Sequence, residues 1–368
     1  IMSQFLIAFI TLLLASLHGW AAQVTVSNNP NIPAQYSNLQ TAIDAVAAGD
    51  TLIVSHSNSS YGSIIITKAL SVLGQGYYSA DGLECTLGNA HIRSSNVTLS
   101  GFECSLILNF ENSSGLSGME NVKIQNCYIT DFDIHGAPNG SSHFLYKGIV
   151  VRNCIFHNLS IGMWGNNWNY KTMEIDSMVF ENNLFSYFQW VALTTSTIGT
   201  ETMVFRHNTF VQDNDGNLNA TIFKTSLSNS TAVSLALVED NLFYDVEPGS
   251  CPECMYHHNL TYLCAPETLP GAEAYGNDNI TGDPLFSNVP LYTPEQFHYW
   301  NYNFGITESS PAKNAASDGT DIGMTGGYYP FDLLAPPPGP IITSVSIPST
   351  AIELGGEMQV TIEAISND

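Results

Sequence analysis

One short unit returns along this chain and restricts its fold more than any other feature. Asn121-Val-Lys-Ile-Gln-Asn-Cys-Tyr-Ile129 is followed by Gly148-Ile-Val-Val-Arg-Asn-Cys-Ile-Phe156 and Ser177-Met-Val-Phe-Glu-Asn-Asn-Leu-Phe185. The unit then returns as Thr202-Met-Val-Phe-Arg-His-Asn-Thr-Phe210 and Leu235-Ala-Leu-Val-Glu-Asp-Asn-Leu-Phe243. Each copy is a β-like apolar run, a polar corner and a second apolar run. With corners at Asn126, Asn153, Asn182, His207 and Asp240, the spacings are 27, 29, 25 and 33 residues. Weaker corners at Gly74 and Gly101 continue the series backward. A period of roughly 20–50 residues with no helical periodicity inside it marks a β-solenoid.

Stacking the copies turns each position into a column with neighbours about 4.8 Å apart. Two residues before the corner stand Val72, Leu99, Ile124, Val151, Phe180, Phe205 and Val238. Three after it stand Ile129, Phe156, Phe185, Phe210 and Phe243. Both columns are predicted to face a shared core, because apolar persistence at period 2 is stable only where it is buried. The column just before the corner points outward by alternation: Gln125, Arg152, Glu181, Arg206, Glu239. It reads either as a surface ladder of ion pairs, each worth about 0–1 kcal/mol, or as a set that includes catalytic or substrate-binding arginines. Asn at the corner suits left-handed backbone, so those residues read as architecture.

At the N-terminus, residues 5–17 form an apolar run too short for a comfortable membrane span, followed by small residues, so 1–22 reads as a secretory signal peptide. Export agrees with composition. The chain has 9 Lys+Arg against 33 Asp+Glu, a net charge of −24, which argues against nucleic acid and anionic membranes as partners. The same charge argues against an unaided grip on a polyanionic glycan. Ser37-Asn-Leu-Gln40, a capping-box pattern, opens a predicted helix over 37–49 that ends at Gly49, with Leu39, Ile43 and Val46 on one face. Such a helix would cover the open edge of the first coil.

The stretch Tyr36-Ser-Asn-Leu-Gln-Thr-Ala-Ile-Asp-Ala-Val-Ala-Ala-Gly-Asp-Thr-Leu-Ile-Val54 and the following Ile66-Thr-Lys-Ala-Leu-Ser-Val-Leu-Gly-Gln-Gly76 resemble secreted right-handed parallel β-helix proteins of the pectin lyase-like superfamily. The resemblance is to the repeat proteins of marine Bacteroidota in particular. It is renewed at Gly282-Asp-Pro-Leu-Phe286 and at Ser309-Ser-Pro-Ala-Lys-Asn-Ala-Ala-Ser-Asp-Gly-Thr-Asp-Ile-Gly323, and covers roughly 23–334. It implies an all-β fold, a right-handed parallel β-helix with an N-terminal capping helix. It also implies that Asp318 and Asp321 belong to the far end of the solenoid. It says little about activity, because the superfamily holds lyases, hydrolases and non-catalytic stalks alike. Beyond it, 335–340 (Ala-Pro-Pro-Pro-Gly-Pro) reads as a stiff linker, and 341–368 as the start of a truncated immunoglobulin-like β-sandwich.

Candidate sites fall into three groups. Lys123, Arg152 and Arg206 are the basic residues of the repeated strand, the type a uronate lyase needs as base and carboxylate neutraliser. Lys123 stands three before its corner and the arginines one before theirs, so they form no evident cluster. Trp164, Trp168 and Tyr170, in a polar insert, suit stacking on sugar rings, or packing of that insert onto the solenoid. Asp213, Asp215 and Asn217 place oxygens at alternate positions around a glycine, a Ca²⁺-like pattern that lacks a complete calcium loop. Asp131 and Asp133 offer the paired carboxylates of a glycoside hydrolase.

Of the seven cysteines, Cys127 and Cys154 occupy equivalent places on successive coils, as a disulfide or as stacked thiols. Cys251, Cys254 and Cys264 with His257 and His258 have zinc-like content but read better as a disulfide with one cysteine spare. The sequence thus predicts a secreted or cell-surface module that binds extracellular polysaccharide, with a polysaccharide lyase or glycoside hydrolase as the alternative and a structural spacer as the third reading.

Overall fold

A computed structural model describes residues 21–76, 84–108, 118–135, 137–138, 144–164, 170–171, 173–192, 197–198, 203–211, 221–224, 236–249, 254–264, 269, 276–288, 303–331, 341–346 and 361–365. Thus 1–20, most of 212–235 and the linker 335–340 lie outside the description.

The chain folds as a right-handed parallel β-helix. Among the described residues its strands form one thirteen-stranded and one twelve-stranded sheet, and every pairing within these two sheets is parallel. The first sheet carries the run before each corner, and the second the run after it. The predicted register holds: Val72, Leu99, Ile124, Val151, Phe180, Phe205 and Val238 pair one to the next up the first sheet. All seven are fully buried, as are Ile129, Phe156, Phe185, Phe210 and Phe243. The last four stack ring on ring with centroids 4.5, 4.5 and 4.9 Å apart, the strand spacing itself.

Left-handed backbone recurs at the corners as expected, with φ of 50–58° at Asn126, Asn153, Asn182, His207 and Asp240. Gly101 shares it at 77°, but Gly74 does not. Two further coils extend the solenoid, with corners at His258 and Asp278.

The residue after each corner does more than the corner itself. Asn183, Asn208, Asn241 and Asn259 are fully buried and form a ladder that ends on Asn279. In each, the backbone N–H and the side-chain Nδ2 donate to the Oδ1 of the next, as from Asn208 to Asn241 at 2.9 and 3.0 Å. Nδ2 also reaches a carbonyl of the preceding coil, as from Asn208 to Phe180 at 2.9 Å. The ladder therefore satisfies backbone groups that each corner strips from the sheets. In earlier coils this column is Cys127 and Cys154, and Cys154 N–H donates to Asn183 Oδ1 at 2.9 Å. Both thiols are free and buried, as are Cys85, Cys104 and Cys264.

The N-terminal helix spans Leu39–Ala45 and buries Leu39, Ala42 and Ile43. The capping box is corrected: Asn38 is the cap, its Oδ1 accepting from Thr41 N–H at 2.9 Å. Gln40 instead reaches outward to the strand Ile64–Ile66, accepting from Ile65 N–H at 2.7 Å. At the far end, Ile341–Ser346 pairs antiparallel with Thr361–Ile365. No helix among the described residues is long and apolar enough to cross a membrane.

Candidate functional site

The outward column of the first sheet is in register from Gln125 through Arg152, Glu181 and Arg206 to Glu239. Arg206 donates through Nε (3.0 Å) and Nη2 (2.6 Å) to Oε2 of Glu181, a nearly buried carboxylate. Arg152 donates to Gln125 Oε1 at 3.3 and 3.1 Å, and its guanidinium lies 4.0 Å from the Tyr329 ring centroid. Burial, then the neighbouring Asp240, raises the carboxyl pKa of Glu239. Lys123 is exposed on the strand next to Arg152, paired with Val150. Lys123 and Arg152 thus share one patch, while Arg206 lies two strands away, held by Glu181.

A strap over 303–331 runs down the outside of the corners. Ser317 donates to Asp240 through N–H (2.7 Å) and Oγ (2.6 Å). The carboxylates of Asp240 and Asp318 lie 3.6 and 3.4 Å from Nε2 of the buried His207. Asn182 Nδ2 donates to the carbonyls of Met324 and Gly326, and Asn153 Nδ2 to that of Tyr329 at 3.0 Å. Gly326 and Gly327 approach the His207 ring closely, so that added Cβ atoms would stand 2.9 and 2.7 Å from it. Beneath the strap is a second apolar cluster: Ile155, Leu184, Leu242 and Leu260 meet Phe304, Ile322, Met324 and Phe331. Asp321 accepts from Lys313 Nζ at 3.2 Å and Asn314 N–H at 3.1 Å. Asp318 and Asp321 therefore hold the strap.

The second sheet carries the acidic face. On the strand Tyr128–His135, Asp131 is exposed and Asp133 and His135 are half-buried. Burial, then the charge of Asp133, raises the Asp131 pKa. Asp133 pairs with Gly162, and His135 with Trp164, at the end of the strand Ile155–Trp164. Just beyond, Ala137–Pro138 pairs antiparallel with Tyr170–Lys171. The residues that flank the two inserts therefore lie side by side, with Trp164 next to His135 and Tyr170 next to Pro138. Trp168 lies outside the described residues, as do Asp213, Asp215 and Asn217, so a Ca²⁺ site there has no described geometry. Among the described residues no group of three or more His, Cys, Asp or Glu is arranged to hold a metal ion. Cys254 is disulfide-bonded and Cys264 is a free, buried thiol.

Reasoning from sequence missed the strap's Tyr328–Tyr329 pair and a second pair of carboxyls, Glu84 and Glu103. These two hydrogen-bond to each other, and burial raises both pKa values, with Glu84 adding to the effect on Glu103.

No protein-family model matches the chain, and no curated protein matches it. Similar solved structures include AlyGC, a PL6 family alginate lyase, and an arginine-to-alanine variant of it. The variant is 10% identical, with 84% of this chain and 59% of that chain covered, at a TM-score of 0.27. The unsubstituted enzyme is 11% identical, with 79% and 58% covered, at 0.21. The chain spans under three fifths of the length of either structure. At these scores the likeness transfers no function, and the fold rests on the strand register.

Proposed function

We propose that this protein is a secreted or cell-surface β-helix module that binds extracellular polysaccharide along the second sheet, at the edge formed by Asp131, Asp133, His135 and the Trp164–Tyr170 insert. One observation carries the reading: the pairing of His135 with Trp164 and of Ala137–Pro138 with Tyr170–Lys171 sets the backbone on either side of the aromatic-rich segment beside the strand that bears Asp131 and Asp133. Carboxylates accept pairs of sugar hydroxyls, and aromatic faces cover the apolar side of a pyranose. The acidity of this edge and the net charge of −24 favour a neutral glycan. On this reading the β-helix body over 23–334 is the binding domain, and the strands beyond the proline-rich linker open a sandwich domain.

The test is affinity electrophoresis of the purified protein in gels containing laminarin, xylan, mannan, alginate or pectin, with and without Ca²⁺. Retardation by a neutral polymer that is lost in Trp164→Ala and weakened in Asp133→Ala is expected. No retardation in any gel, or equal retardation of both variants, refutes the site. A second reading, hydrolysis, is favoured by the two carboxyls Asp131 and Asp133 on one strand, where burial and then the charge of Asp133 raise the Asp131 pKa in the direction a general acid needs. New reducing ends that vanish in Asp131→Asn would establish it.

A further inference from the structure

The strap presents an aromatic surface that the acidic edge does not use. Tyr328 is 86% exposed, whereas the other exposed large apolar side chains among the described residues, including Tyr329, lie at 37–39%. Its ring therefore contributes nothing to the core, yet its backbone is fixed on both sides. Gly327 N–H donates to Thr320 Oγ1 at 2.7 Å, the Tyr329 carbonyl accepts from Asn153, and Phe331 N–H donates to the Met324 carbonyl at 2.8 Å. The Tyr329 ring stands edge-on to Tyr328, centroids 4.7 Å apart, and is clamped over Arg152. A large exposed ring whose backbone is tied on both sides and whose edge meets Tyr329 loses less ordering entropy on binding than one on a free loop.

We propose that Tyr328 and Tyr329, with Arg152, Gln125 and Lys123, form a second carbohydrate site, in which a pyranose stacks on Tyr328 and its hydroxyls reach the polar groups beside it. The surroundings select sugar over protein. The exposed run Tyr328-Tyr329-Pro330 is short and bordered by Gly327, Arg152 and Asn153, so it falls well below the contiguous apolar patch a protein interface requires. The strand Ile155–Trp164 leaves this corner and ends at the acidic edge. Nine residue steps at about 3.3 Å place the two sites roughly 30 Å apart on one coil. A short oligosaccharide fills one site, and a polymer bridges both. The bivalent arrangement rests on the polysaccharide reading above, but the second site uses different residues and fails separately.

The experiment is calorimetric titration with the trisaccharide of whichever polymer retards the protein, too short to bridge the two sites, alongside retention on that polymer. Two sites per chain are expected, falling to one in Tyr328→Ala and to the other one in Trp164→Ala. Each variant should lose about 10²-fold in polymer retention, because linked sites gain that order of avidity. A single site unaffected by Tyr328→Ala overturns this proposal and leaves the acidic edge standing. A single site lost in Tyr328→Ala but not in Trp164→Ala establishes the strap site and overturns the acidic edge. No binding to any polymer overturns both. Tyr328 is exposed, so its loss leaves folding intact, which thermal unfolding of the variant verifies.

Discussion

Replacing Asn208 by alanine removes the second rung of the buried ladder. The N–H of Asn183 loses its acceptor, Asn208 Oδ1, which stood 3.0 Å away. The Asn183 side chain loses the same acceptor at 2.9 Å but keeps the Val151 carbonyl at 3.0 Å. The Phe180 carbonyl and Asn241 Oδ1 each lose a donor. One buried donor left wholly unmatched costs about 1–3 kcal/mol, and each further hydrogen bond about 1 kcal/mol net. The sum is about 4–6 kcal/mol, a large share of the roughly 5–15 kcal/mol of a typical domain. Guanidinium unfolding followed by far-UV circular dichroism should show that loss, and exchange of the Asn183 amide should accelerate before that of distant coils. A loss under about 1 kcal/mol would refute the argument, since it would mean that water or a relaxed corner replaces the rung.

Three other outcomes are expected. Arg206→Ala strips the Nε and Nη2 donors from the nearly buried Glu181. Because Arg206 is itself half exposed, the loss should be about 1–3 kcal/mol, and adding Glu181→Gln should recover most of it in a double-mutant cycle. Glu103 and Glu84 have folded pKa values raised chiefly by burial, so the folded state holds protons that the unfolded state releases. Their contribution to stability is therefore complete below the ordinary glutamate pKa and falls as pH rises through the shifted values. Glu103→Gln should flatten that slope in a series of melting temperatures against pH. Gly326→Ala would set a Cβ 1.7 Å from the Asp321 carbonyl oxygen. The strap must shift, with about 2–3 kcal/mol of stability lost, and limited proteolysis should cut near Tyr328 in the variant before the parent.

The solenoid was legible because its two inward columns are apolar in every copy, and only a shared core produces that. The coils cornered at His258 and Asp278 escaped notice because their ladder rungs lie 18 and 20 residues apart, shorter than the 25–33 of the copies before them. The ladder was half legible. Asparagine at the corner drew attention, but the buried rungs stand one residue later, and cysteine occupies that column at Cys127 and Cys154. Leu184, Leu242 and Leu260, two residues after their corners and on the side away from the core, were a signal of an external cover that the column reading passed over. What covers them, and what holds Tyr329 against Arg152, depends on contacts between residues up to 176 apart in sequence, which no local pattern encodes. The pairing of the two inserts was hidden for the same reason.

The strap also changes how this molecule carries load. Coils of a solenoid are joined by hydrogen bonds parallel to its long axis, so tension along that axis opens them one row at a time, like a zip. The strap runs along the axis and is fastened at Asp240, Asn182 and Asn153, across three coil steps of about 4.8 Å each. Tension there is met in shear, by several fastenings strained together. Under force the section between Arg152 and Asp240 should therefore yield last, after the unstrapped coils on its N-terminal side.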